Sequence, residues 1–445
     1  MTQQYQITRR TLLFGMAGVA TSLCLPVNFA NAKTFQFEPF SFAYVADVHL
    51  VNGVPDSFKL TQESQLFLQN AIKQINELGV DFVVFGGDQV ETPGNDDKNW
   101  NLFLDIAQGL SMPWYFVLGE RDVSGIVPAD KIKTYGPDWK RRDLKADLSY
   151  WSFDYSPGVH LIGLDTSKAN SDEGVLAQEQ LTWLQSDLND SKNKFTIVFS
   201  HHPLLAPQPF DSGPPWDRYL VPQGASAREI LNSSNGVRLV VNGHIHTSKI
   251  QRERDIWYVS SPSLDVYPCE FRTFRINPEN IEVESYQVDY PALVKKAKSE
   301  LATSRMAFDY SSGRPATFLS IADGEHLDQI ACLPIASGKT ALPLKPSKVA
   351  KKPKDQKPAG KEKPEKSKPE TKPETKPEQK PDTKSDTDAK PNMDLKPESD
   401  GKPDAPPKPD PEVKSDTNVK PDIDAKPAAS SSYEPKAEMS DPTKP

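Results

Sequence analysis

The chain has 445 residues and a formal net charge of −8, from 53 Lys and Arg against 61 Asp and Glu. From Lys339 onward lysine, proline and acidic residues dominate and large apolar residues almost vanish, so residues 336–445 are expected to be a disordered Lys/Pro/Asp/Glu-rich tail that cannot offset the entropy of ordering its backbone. That tail is nearly balanced in charge, which leaves the acidic excess on the folded part and argues against nucleic acid as a partner.

At the N-terminus, Thr8-Arg9-Arg10-Thr11 precedes a modest apolar run from Leu12 to Leu25 and then Ala30-Asn31-Ala32, the layout of a cleaved signal peptide over residues 1–32. Gly15, Gly18, Thr21 and Ser22 dilute the run and Pro26 interrupts it, so no transmembrane segment is expected after cleavage. Arg9 and Arg10 resemble a twin-arginine export signal, a route for proteins that load a cofactor before crossing a membrane. The mature protein is therefore expected in the periplasm, the cell envelope or the extracellular space. Leu23 before Cys24 disfavours a lipid anchor. The remaining cysteines, Cys269 and Cys332, either pair as a disulfide or stand as two buried thiols.

Residues 42–47 read as a buried strand that delivers a loop at its C-terminal end. Helical periodicity follows over residues 60–78, with Leu66, Phe67, Ala71, Ile72 and Ile75 on one face. Strands are expected at 81–85 and 114–118, around a helix at 99–110. This βαβαβ order implies a largely parallel sheet covered by helices, with function gathered where the strands end. Two strands around Ser156-Pro157-Gly158, an amphipathic helix at 176–188 and strands at 195–200 and 238–241 come next. Residues 248–260 and 271–286 alternate like antiparallel strands, so the parallel core passes into a mixed or second sheet. Residues 291–335, with a helix over 293–306, read as an extension packed on a domain of residues 33–290.

Every candidate metal ligand sits just past one of these strands: Asp47-Val48-His49, Asp88 after two glycines, Gly119-Glu120-Arg121-Asp122, His201-His202-Pro203, and Gly243-His244-Ile245-His246. Five of the seven histidines fall in these motifs, whereas packed histidines would scatter; His160 and His326 lie outside and read as structural. A two-metal site needs several anionic or imidazole ligands on rigid supports and one carboxylate that bridges both ions.

The order D-x-H, G-D, G-N-H-D/E, H, G-H-x-H is that of the calcineurin-like metallophosphoesterases, which residues 42–246 resemble. The resemblance implies an α/β fold, a four-layer α-β-β-α sandwich of two mixed β-sheets flanked by helices. It implies two divalent or trivalent ions, Mn, Fe or Zn, and hydrolysis of a small phosphate mono- or diester by a metal-bridging hydroxide. Carried over by position, Asp47, His49 and His246 would hold the first ion, Asp88 would bridge, and His201 and His244 would hold the second.

The third motif departs from the family. Glu120 replaces a ligand asparagine and remains a competent oxygen donor. Arg121 replaces a histidine that protonates the leaving group; a guanidinium keeps its proton near neutral pH but can hold phosphate oxygens, with Asp122 expected to orient it. His202 is either a substitute proton donor or a histidine packed beside Pro203. Phe210, Trp216 and Tyr219 either stack on a base or aryl group or simply pack. The altered motif leaves open a second reading, a metal- or phosphate-binding protein on the same fold that has lost turnover. For the basic run at 345–368, a solvated spacer is the main reading and contact with an envelope polymer or anionic membrane the alternative.

Overall fold

The computed structural model describes residues 35–51, 58–91, 98–124, 130–145, 147–336 and 339–344. The expected signal peptide and most of the expected tail lie outside the described residues.

The chain opens with strand β1 (Phe40–Val45), whose run FSFAYV is apolar on both faces because both are covered. It pairs in parallel with β2 (Phe82–Phe85), which pairs in parallel with β3 (Trp114–Phe116). Helices α1 (Ser64–Leu78) and α2 (Lys98–Ala107) make the crossovers. Helix α1 begins later than periodicity suggests and ends at Gly79, whose φ of 64° lets its N–H reach back to Ile75 O. Leu66, expected on the buried face, is 44 % exposed. At 100° per residue it points away from the arc of Phe67, Leu68, Ala71, Ile72 and Ile75, and Leu68 takes the core position instead.

After α3 (Asp130–Lys140), the second sheet is built from β4 (Trp151–Ser156), β5 (Val159–Gly163), β6 (Phe195–Phe199), β7 (Val237–Asn242), β8 (Lys249–Glu253) and β9 (Ile256–Ser260). Its order is β4-β5-β6-β7-β9-β8, parallel in the middle and antiparallel at both edges. Helices α4 (Gln178–Asp190) and α5 (Gly224–Ser233) bury Leu181, Leu184, Leu188, Ala227 and Leu231 among Ile162, Val198 and Val240 of this sheet. The first sheet continues through β10 (Glu270–Ile276), antiparallel to β1, and β11 (Asn280–Gln287). The inner faces of the sheets meet through aromatic rings: Phe42 packs on Phe82 at 5.2 Å and Phe274 at 4.6 Å, and meets Phe199 of the other sheet edge-on at 5.5 Å. Helices on both outer faces complete the four-layer α-β-β-α sandwich. Truncating Phe42, which is fully buried, would cost roughly 3–5 kcal/mol.

The segment after β11 is woven into this frame. Four helices, α6 (Pro291–Thr303), α7 (Arg305–Tyr310), α8 (Pro315–Asp323) and α9 (His326–Gln329), lead into β12 (Ile330–Pro334), which pairs with β11. The single helix expected over 293–306 is broken at Ser304, whose side chain accepts from Ala307 N and so caps α7. The sheet also runs past the expected boundary at Ala336, since β13 (Leu342–Pro343) pairs with β12. Arg252 ties this crossing down by donating to the carbonyls of Pro334, Ala336 and Lys339.

Cys269 accepts on its carbonyl from Val288 N, while Cys332 faces Glu282 across the β11–β12 ladder. Six residues of strand separate the two places, about 20 Å at the usual rise, well beyond the reach of a disulfide.

Candidate metal centre

The C-terminal ends of β1, β2 and β3 in one sheet and of β6 and β7 in the other open on the same side and bring the five motifs together. Asp47, His49, Asp88, His244 and His246 all adopt left-handed backbone conformations, with φ between 47° and 71°. That is costly for residues with a Cβ and marks places where the surrounding structure over-determines the loop. Close approach also requires two glycines: a Cβ on Gly87 would strike the His201 ring, and one on Gly119 the Asp88 carboxylate.

Three groups of ligand atoms lie within 4.8 Å of one another: Asp47, His49 and His246; Asp47, Asp88 and His201; and Glu120, His202 and His244. In the first, His246 Nε2 lies 3.3 Å from both Asp47 Oδ1 and His49 Nε2. His49 Nδ1 is held 2.6 Å from Glu91 Oε2, and that oxygen accepts from Lys59 Nζ at 2.7 Å. Burial and the Lys59 ammonium push His49 down to about 4 against the pull of Glu91, so it is a neutral imidazole with Nε2 free to ligate. Burial would raise Asp47, but His246, His201 and His49 outweigh it and hold it at about 2.

In the other two groups, His201 Nδ1 bonds Gly86 O at 2.8 Å, which turns Nε2 toward Glu120 Oε2 at 2.9 Å, Asp88 Oδ1 at 3.6 Å and Asp47 Oδ1 at 3.9 Å. His244 bonds the Asp172 carbonyl through Nε2 at 3.0 Å, leaving Nδ1 3.3 Å from the same Glu120 oxygen. Burial raises Asp88 well above the carboxylate range, with Glu120 adding to it. His201 is raised despite its burial by Asp88, Glu120 and Asp47; a metal cation would satisfy the same three carboxylates. Glu120 Oε2, His201 Nε2 and His202 Nε2 are buried and, although the first two lie 2.9 Å apart, none makes a well-aligned hydrogen bond among the described residues. Buried polar atoms are seldom left so, and atoms of these types converging on one point fit a cation.

The structure differs from expectation at Asp122 and Arg121, and for His202 it matches the packed reading of the two. Asp122 does not pair with Arg121: its carboxylate oxygens accept from Val90 N at 3.1 Å and Gly119 N at 2.9 Å, holding the loop, and burial pushes it up to about 7 against those two donors. Arg121 instead reaches Glu91, Glu120 and Asp172 at 3.6, 3.6 and 3.7 Å. His202 is not among the residues lining the cleft; it is fully buried, bonded to Thr166 Oγ1 at 3.0 Å, with Nε2 3.5 Å from Glu120 and its ring 4.2 Å from that of His244. Burial and neighbouring His244 push it well below the imidazole range.

His49, Asp88, Glu120, His244 and His246 line one side of a cleft of about 710 Å³, solvent at its mouth included, with Arg121 beside them. Sequence reasoning missed Glu91, Lys59 and Asp172. Glu91 follows Asp88 by three residues in the same loop and could have been found there; Lys59 and Asp172 carry no such signal.

Residues 40–248 match the family model of the calcineurin-like phosphoesterases. The chain is 26 % identical over 245 residues to a 3',5'-cyclic-nucleotide phosphodiesterase of a Nostoc species, covering 54 % of this chain and 85 % of that one. It is 30 % identical over 138 residues to a probable glycerophosphodiester phosphodiesterase of Arcobacter nitrofigilis, 31 % of this chain and 47 % of the relative. Human tartrate-resistant acid phosphatase type 5 is 26 % identical over 233 residues, 47 % and 69 % of the two chains. With its ligands gathered at the strand ends, the segment 40–248 is a calcineurin-like phosphoesterase domain, which supports a metal-dependent phosphoester hydrolase.

Proposed function

We propose that this protein is an exported phosphoesterase, acting on phosphate mono- or diesters, in which Arg121 binds the phosphoryl group and no side chain takes over the missing acid. The carrying observation is the place of Arg121. Its guanidinium lines the cleft, is 38 % exposed, and among the described residues has no ion-pair oxygen closer than 3.6 Å, so its donors are available to phosphoryl oxygens. The other candidate donor, His202, is sealed beneath Glu120 and His244.

The mixed imidazole and carboxylate donors suit Mn, Fe or Zn. When bound, such ions supply an activated water at neutral pH and neutralise charge on the phosphoryl group. The protein's own part is to hold Asp47 and Glu120 deprotonated around that charge, to offer Asp88 as a buried carboxyl that a cation would ionise, to fix His49, His201 and His244 by a partner on the other nitrogen, and to set Arg121 against the developing negative charge. A leaving oxygen then departs without a proton from the enzyme, which favours aryl or otherwise acidic leaving groups over simple alkyl ones. On metal-loaded protein, aryl esters should turn over at least roughly a hundredfold faster than alkyl esters of the same class. Equal rates would mean that an acid is present after all.

Export is supported by the Arg9-Arg10 pair, the apolar run and Ala30-Asn31-Ala32. Replacing Arg9 and Arg10 together by lysine should trap precursor in the cytoplasm, and normal amounts of mature protein outside it would rule out the twin-arginine route. Tail contact with an anionic surface is supported only by the charge run at 345–368 and carries no role in the chemistry.

A further inference from the structure

The match to the family model ends at residue 248, yet part of the cleft lining comes from beyond it. Met306 and Tyr310 of α7 and Phe318 of α8 line the cleft together with Trp216 and Tyr219. The rings form a continuous path outward from the ligands: Tyr219 lies 5.9 Å from the His244 ring and stacks on Trp216 at 6.0 Å with planes 23° apart, while Trp216 packs on Tyr310 at 4.8 Å and Tyr310 on Phe318 at 4.7 Å. At the buried back of this wall the polar atoms are used internally. Tyr310 donates its hydroxyl to Asp211 Oδ1 at 2.7 Å, and Asp211 Oδ2 accepts from Gln208 N at 2.8 Å. The wall offers mainly ring faces and methylenes, against which the hydroxyls of glycerol or a sugar would lose solvent and gain few partners.

We infer that the C-terminal helices α7 and α8 are a substrate-recognition wall, and that the ester's organic group is a planar aromatic ring seated against Trp216, Tyr219 and Met306 while its phosphoryl group meets the ligands. This rests on the phosphoesterase reading above. Trp216, Tyr219 and Met306 keep part of their surface accessible, whereas Tyr310 and Phe318 are buried behind them and fix the ring path in place. A flat ring entering that path stacks at little entropic cost on side chains already held.

Non-hydrolysable phosphonates separate ring binding from leaving-group chemistry. Inhibition constants would be measured on metal-loaded enzyme for methylphosphonate, phenylphosphonate and a phosphonate analogue of adenosine monophosphate. At least one aromatic phosphonate should bind roughly tenfold tighter than methylphosphonate, about 1.4 kcal/mol, and the tighter of the two tells a simple aryl group from a nucleobase. Trp216→Ala and, independently, Met306→Ala should each reduce that advantage at least about threefold without lowering metal content. No aromatic advantage in the parent enzyme, or an advantage untouched by both variants, would overturn the wall. Failure of all three phosphonates to inhibit would overturn the phosphoryl site itself and the wall with it, a different result from loss of the ring preference alone.

Discussion

Around Asp47, the imidazoles of His49 and His246 face each other across 3.3 Å, and His49 is braced from behind by the Glu91 carboxylate and Lys59. Around Glu120, three imidazoles, His201, His202 and His244, converge on one carboxylate oxygen, and two of them are braced by backbone carbonyls. The two halves of the centre hold comparable ligands by different means. In the first, a carboxylate behind the ring raises ligand basicity and fixes the tautomer; in the second, extra negative charge sits on the ligand itself. Asp88 stands between them, 3.8 Å from His49 Nδ1 and 3.6 Å from His201 Nε2.

The largest effect is expected where both halves are broken at once. Asp88→Asn keeps an oxygen for the Arg121 amide that donates to Asp88 Oδ1 at 2.8 Å, so the loop should persist. Turnover should nevertheless fall roughly a thousandfold or more, since several kcal/mol of charge stabilisation are lost, and metal content should drop in both halves. Full activity in that variant would dismiss the two-metal reading.

Glu91→Gln and Glu120→Asn, compared side by side, test the difference between the halves. Removing the brace behind His49 should weaken metal binding roughly 10- to 100-fold at one of two resolvable affinities, leaving the other in place. Glu120→Asn should do less to affinity, because an amide oxygen still coordinates and the repulsion that Glu120 exerts on Asp88 is relieved, but it should shift preference away from harder, more highly charged cations. Metal titrations with Mn and Zn on both variants would read the two effects. The same response to both changes would mean that the halves are not distinct.

How far sequence reaches differs between these halves. D-x-H, G-D and G-H-x-H each follow a short apolar run that becomes a strand, so their convergence at the sheet ends follows from the parallel βαβ order alone. Glu120 was legible as a ligand for the same reason. The Asp122–Arg121 pair was not, because adjacency in sequence says nothing about which backbone amides a buried carboxylate will cap. His202 was ambiguous for want of a depth signal: neighbours on a strand end point to opposite sides, and only the packing of Thr166 and His244 decides how deep the second ring lies. The wall from α7 and α8 was hidden more completely. Its members are ordinary apolar residues at helical spacing, and nothing local says that they return to the cleft that His244 lines.

Arg121→His is expected to have the smallest effect, and it touches both halves, through Glu91 and Glu120. The substitution regains a titratable group next to the leaving oxygen, where general acid help is worth roughly a hundredfold for a poor leaving group. It also removes a permanent cation that faces Glu91, Glu120 and Asp172 at the cleft. For an aryl ester, which needs no acid, the second effect dominates, so KM should rise and kcat/KM should fall several-fold. For an alkyl ester the two oppose, so the rate gap between the classes should narrow about tenfold or more. Arg121→Lys separates charge from acid, since an ammonium keeps the cation but not the planar fork; it should raise KM modestly and leave the gap as it was. Should both variants match the parent enzyme in rate, KM and metal content on both esters, Arg121 would be a rim residue paired to its three carboxylates and nothing more, and the phosphoryl contact assigned to it would fall.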